Sequence, residues 1–188
     1  MDYTKNSLQV LQNKKLPIEE VEKIYDKFVD DEEVVAMVAM NLSLRTSVYD
    51  RDKEKSESMI RLLKKLSNAQ DMGSRWAVAK NPHTPIDVLE TLSNDKINLV
   101  RALVATNPNT PQHILKKLFS DEKIVRDGLS GNPNTPIKYL SVLADDSDKM
   151  VRLRVAQNSS TPKKVLEKLL KDDDINVVKA VKERFDNE

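Results

Sequence analysis

Asn81-Pro82-His83-Thr84-Pro85 returns as Asn107-Pro108-Asn109-Thr110-Pro111, again as Asn132-Pro133-Asn134-Thr135-Pro136, and in reduced form as Asn158-Ser159-Ser160-Thr161-Pro162. The steps are 26, 25 and 26 residues. Behind each motif runs one pattern, which after Pro85 reads Val88, Leu89, Leu92, Asp95, Val100, Arg101, Val104 and Ala105. Self-similarity at this period marks a tandem array in which each unit buries its apolar side against its neighbours.

The unit reads as two helices. In Thr-Pro the Thr hydroxyl is expected to accept an orphan backbone N–H, with Pro at the first helical position, where no hydrogen bond is lost and φ is preset. Thr84, Thr110, Thr135 and Thr161 thus each launch a helix of two or three turns, with apolar residues such as Ile114, Leu115 and Leu118, too short to persist without neighbours. The second helix is expected to begin near Asp95, Asp121, Asp146 and Asp172, whose charge complements its positive end. It stops before Asn-Pro because proline disfavours α geometry in its predecessor, which puts Asn107 and its equivalents at turns. Counting back from that Asn, the seventh residues (Val34, Ser74, Val100, Val125, Val151) and the third (Val38, Val78, Val104, Leu129, Val155) are core. The second (Ala39, Ala79, Ala105, Ser130, Ala156) is kept small for close helix approach.

Looser copies precede the regular ones. Asn13, Pro17, Val21, Ile24, Phe28, Val34, Val38 and Ala39 lead to Asn41, and a second imperfect copy resumes at Met59, Leu62, Leu63, Leu66 and Arg75 after an insertion from about 43 to 58. The expectation is a single all-α solenoid domain over 1–188, degenerate over 1–80 and regular over 81–188, with about five repeats and a closing half. Three glycines, 4% aromatic and 32% charged residues suit short, surface-rich helices and argue against a Gly-rich β architecture.

The chain has 31 basic and 30 acidic residues and a net charge of +1, so it supplies no strong overall field for nucleic acid or an anionic membrane. The absence of cysteine removes disulfides and thiolate chemistry and is compatible with a reducing compartment; a cytoplasmic location is expected. Met1 to Gln12 contains no apolar leader core, and no stretch approaches the ~20 apolar residues of a membrane span.

The unit Asn-Pro-x-Thr-Pro, Leu-x-x-Leu, Asp, Val-Arg-x-x-Val-Ala, in copies from Asn81 to Ala156, resembles the leucine-rich repeat variant family. That resemblance implies a right-handed superhelix of alternating α- and 3₁₀-helices, leaving open whether one helix of each pair here is α or 3₁₀. A member of that family carries a Cys-bound iron–sulfur cluster in a separate N-terminal domain; without cysteine, no cofactor is expected. More distantly the pattern looks like HEAT-type solenoids, a class that includes a DNA alkyl-purine glycosylase group, none of whose motifs matches residue by residue.

Arg75, Arg101, Arg126 and Arg152 each stand six residues before a turn Asn, so stacking aligns them in a ladder. They admit two readings: a basic stripe that meets phosphates or acidic side chains, or structural pairs with Asp95, Asp121, Asp146 and Asp172. Trp76, the sole tryptophan, takes a place held elsewhere by Ala36, Ala102, Asp127 and Leu153; it is either a binding anchor or the cover of an irregular joint. The insertion, with Tyr49 and Arg51, is either a recognition loop or a solvated one. Positions that differ between units, such as Met37, Ala77, Leu103, Gly128 and Arg154, could match one partner's irregular surface. His83 and His113 have no metal-site spacing and read as solvated or capping.

The expected function is a non-catalytic module that binds another protein, tentatively through Trp76, Tyr49, Arg51, Arg75, Arg101, Arg126, Arg152 and Arg154, with no cofactor and no metal. The alternative is a nucleic-acid binder using the arginine ladder. No membrane partner is expected, and the chain is read as a monomer or weak homo-oligomer. Any self-association is placed at the N-terminal edge, where Ile18, Val21, Ile24, Tyr25 and Phe28 cluster.

Overall fold

The structure is a computed structural model that describes residues 3–45 and 56–186. Its thirteen helices among the described residues are α1 (Tyr3–Leu11), α2 (Ile18–Lys27), α3 (Glu32–Arg45), α4 (Glu57–Leu66), α5 (Met72–Lys80), α6 (Ile86–Leu92), α7 (Asn98–Thr106), α8 (Gln112–Leu118), α9 (Lys123–Gly131), α10 (Ile137–Leu143), α11 (Lys149–Gln157), α12 (Lys163–Leu169) and α13 (Ile175–Asp186). Both helices of each pair are α-helices, and no strand or 3₁₀ helix occurs among the described residues. The chain divides into two compact units, residues 1–100 and 101–188, with the boundary inside α7.

In unit 1, α3 packs between α1 and α5, while the first helices α2 and α4 pack together. In unit 2, α11 packs between α9 and α13, with α8, α10 and α12 as the first helices. This is an all-α solenoid of tandem helix pairs. The expected closing half is a full pair, α12 and α13, and α1 supplies an additional helix at the start that no repeat motif announces.

Seven-residue helices such as α6, α8 and α12 are below the length that persists alone; tertiary burial holds them. Leu89, Leu115, Leu140 and Leu166 are buried to within 1%, each contributing about 1.5–3 kcal/mol. The third- and seventh-position rows of the second helices, read as core, are all buried, and Ala79, Ala105, Ser130 and Ala156 are closed off completely.

The Thr-Pro junction differs from expectation. The proline is the N-cap, with no side-chain cap, at Pro85, Pro111, Pro136 and Pro162. The threonine hydroxyls do not accept an N–H. They donate backwards, to the carbonyls of Val78, Val104, Leu129 and Val155 at 2.6–2.7 Å. A helix end leaves carbonyls without partners as well as N–H groups. The aspartates are also displaced from the expected cap: Asp146 and Asp172 accept from the N–H two residues on, and Asp148 and Asp174 accept from the first turns of the second helices.

Candidate functional site

The arginine ladder is internal. Arg75 Nε lies 2.6 Å from Asp95 Oδ2 in unit 1; in unit 2, Arg101, Arg126 and Arg152 meet Asp121, Asp146 and Asp172 at 2.7 Å. A second nitrogen, Nη2, donates to the other carboxylate oxygen in every case. Arg75, Arg126 and Arg152 also donate to backbone carbonyls of the turn before their own helix. Each guanidinium therefore clamps its own corner to the next repeat's corner, the structural alternative among the two sequence readings. The Asp121 and Asp172 carboxyls are held below the usual range by the arginine hydrogen bond against the opposing effect of burial. At Asp95 and Asp146 burial is the larger influence and raises the pKa, but arginine and backbone hydrogen bonds outweigh it and the net direction is down.

A second ladder escaped the sequence reading, which took the asparagines only as turn residues. Asn132 Nδ2 donates to the carbonyls of Ala105 and Asn107 at 2.7 and 2.9 Å, and Asn158 Nδ2 to those of Ser130 and Asn132 at 2.8 and 2.9 Å. In unit 1 Asn41 reaches the carbonyls of Leu11 and Asn13. The Oδ1 of each turn residue accepts the N–H two positions on, as from His83, Asn109, Asn134 and Ser160, closing an Asx turn. Arg184, 26 residues after Asn158, takes the last rung and donates to the carbonyls of Asn158, Ser159 and Thr161. The available signal was that Asn158 persists where its proline has become Ser159.

Trp76 is half-buried on α5, with Lys80 Nζ 4.9 Å over its ring. One turn before it, Met72 is 41% exposed. On the neighbouring helix α3, Met40 and Leu44 are each 55% exposed, and Met37 is half-buried. Ala36, Met40 and Leu44 form one i, i+4, i+8 ridge, and Met72, Trp76 and Lys80 form the equivalent ridge of the next repeat. Two of the six methionines and the sole tryptophan thus share the solvent side of two packed helices. In unit 2 the places equivalent to Trp76 and Lys80 hold Ala102 and Thr106, then Asp127 and Gly131, then Leu153 and Gln157.

Arg154 is about half exposed, its Nε 3.8 Å from Asp127 Oδ1, a buried oxygen with no hydrogen-bond partner among the described residues. Ser43–Arg45 of the expected insertion end α3, and Ser56 caps α4 by accepting the Met59 N–H. Tyr49 and Arg51 lie outside the described residues. His83 is buried rather than solvated, whereas His113 is exposed. Among the described residues no group of three or more His, Asp or Glu is placed to hold a metal, and no helix is long and apolar enough to cross a membrane. At the N-terminal edge, Ile18, Val21 and Tyr25 are buried within unit 1, leaving Ile24 and Phe28 half-buried.

Paired helices joined by corner ladders define the class: an α-solenoid of short tandem repeats. The particular fold is that of a leucine-rich repeat variant. A solved structure described as a leucine-rich repeat variant with a novel repetitive protein structural motif is 24% identical, with a TM-score of 0.57, over 94% of this chain and 70% of its own. At that identity the likeness concerns the fold alone. No family model matches the chain, and no curated protein does.

Proposed function

We propose that this chain is a non-catalytic protein-binding module that holds its partner on the solvent side of α3 and α5. The carrying observation is the patch of Met40, Leu44, Met72 and half-buried Trp76, four large apolar side chains turned outward on adjacent helices. Contiguous exposed apolar groups mark interaction sites. Trp is the residue type most enriched among binding hot spots, and Met adapts to irregular partners. The solenoid holds these residues in register, and the arginine and asparagine ladders engage its polar groups in holding corners together rather than in recruiting ligands.

The test is capture of partners on immobilised protein, comparing the native chain with Met72→Glu/Trp76→Ala and with Ile86→Glu, a change of an exposed apolar residue on α6. The expected result is a partner retained by the native chain and by Ile86→Glu, with affinity reduced at least about thirtyfold in the double variant. Identical captured proteins for all three would overturn the reading.

A further inference from the structure

In unit 2 the first helices α8 and α12 bury their third, fourth and seventh positions, as Ile114, Leu115 and Leu118 do in α8, and α10 buries its fourth and seventh, with Tyr139 half-buried at the third. The first, second, fifth and sixth positions face solvent. Across those twelve positions stand six lysines and a single carboxylate, Glu167. Lys168 pairs with Asp145, and Lys138 sits 4.9 Å over the Tyr139 ring. Lys116, Lys163 and Lys164 form no ion pair among the described residues. Most of the acidic corners nearby are already engaged: Asp121, Asp146, Asp148, Asp172 and Asp174 are each held by an arginine or lysine of unit 2, and of the acidic residues at the α12–α13 corner Asp173 alone is exposed.

The repeat does not require this charge. At the second and fifth positions of α6 in unit 1 the same unit places Asp87 and Glu90. Nor is the face uniformly polar: on the middle helix, α10, Ile137 and Val142 are each 57% exposed. Lysines thus flank two outward aliphatic side chains. Phosphates would use the lysines of such a face but leave Ile137 and Val142 without a partner. The headgroup boundary of an anionic bilayer accommodates both, cations against lipid phosphates and carboxylates, short aliphatics at the acyl edge.

We propose that the solvent side of α8, α10 and α12 docks on an anionic phospholipid surface. The probe is a set of phosphatidylcholine vesicles with and without a phosphatidylserine fraction, read by co-sedimentation of the full chain at low and physiological salt. Binding is expected only with phosphatidylserine and should weaken with salt. Lys163→Gln/Lys164→Gln should lower the partition coefficient about thirtyfold, from roughly fivefold per lysine. Ile137→Ser/Val142→Ser should lower it at fixed charge, and the charge-matched control Lys14→Gln/Lys15→Gln in unit 1 should leave it unchanged. Circular dichroism would establish that each variant is folded. No sedimentation of the native chain, or equal losses in the control, would overturn the proposal. So would binding of duplex DNA that falls in the Lys163/Lys164 variant but ignores the Ile137/Val142 change, which would reassign the face to nucleic acid.

Discussion

Removing the Arg75 guanidinium strands a carboxylate: the Asp95 side chain is only 5% exposed and takes two hydrogen bonds from that one fork. Truncating one partner of a buried pair costs several kcal/mol, so Arg75→Ala should destabilise the fold by about 3 kcal/mol in urea unfolding. Arg75→Lys should recover only part of this, because an ammonium cannot span both carboxylate oxygens and the turn carbonyls together. A different ion cluster governs acid behaviour. Glu22 on α2 receives Arg61 at 2.7 Å and Lys65 at 3.3 Å from α4. The Arg61 hydrogen bond holds its carboxyl down at about 2, against an ordinary value of 4.5. A folded pKa below the unfolded one means the stabilisation is complete above about 4.5 and is lost as the pH falls toward about 2. Thermal melting followed from neutral to acid pH should show this limb, and Glu22→Gln should flatten it; an unchanged acid limb would remove Glu22 from the account.

Helix α9 approaches α7 so closely that a Cβ built on Gly128 would stand 2.7 Å from both the Ala102 carbonyl oxygen and Thr106 Oγ1, whereas one on Gly131 would meet only Arg154 Cδ at 3.7 Å. Gly128→Ala must therefore push two helix backbones apart and should cost about 1–3 kcal/mol. Gly131→Ala, at the last position of α9, should be neutral or gain up to about 1 kcal/mol from helix propensity. Equal melting temperatures for the two variants would contradict the close approach. The elements themselves were largely legible in the sequence, because Pro, Asn and apolar spacing mark both ends of each helix locally. What escaped were the long-range roles of the same residues. Thr135 fits a forward cap by local rules, yet its hydroxyl turns back to the Leu129 carbonyl; Asn132 fits a turn, yet its amide spans to the previous repeat. Trp76 was singled out from the sequence, but Met40, Leu44 and Met72 became its neighbours only once α3 and α5 were seen to pack together.

In a repeat array each pair is stabilised by contacts with its neighbours, and a pair opens locally when those contacts are weakened. In α13 the place of the ladder asparagine is taken by Arg184, whose longer fork reaches the carbonyls of Asn158, Ser159 and Thr161. A ladder asparagine places one amide between two carbonyls, while Arg184 spans more of the turn and also keeps its charged head partly in water. Arg184 thus latches α13 to the Asn158–Thr161 turn. Arg184→Ala leaves that turn's carbonyls to solvent and should raise amide hydrogen exchange in α12 and α13 about tenfold, for the loss of roughly 1.5 kcal/mol of charge-assisted hydrogen bonding. Exchange in α3 and α5 should stay as it was, since neither touches the latch. Arg184→Asn, which restores the interior residue type without its reach, should fall between the two. If exchange instead rose uniformly along the chain, the latch would be part of a global unfolding equilibrium rather than a local one, and local opening of α12 and α13 would not describe how this solenoid comes apart.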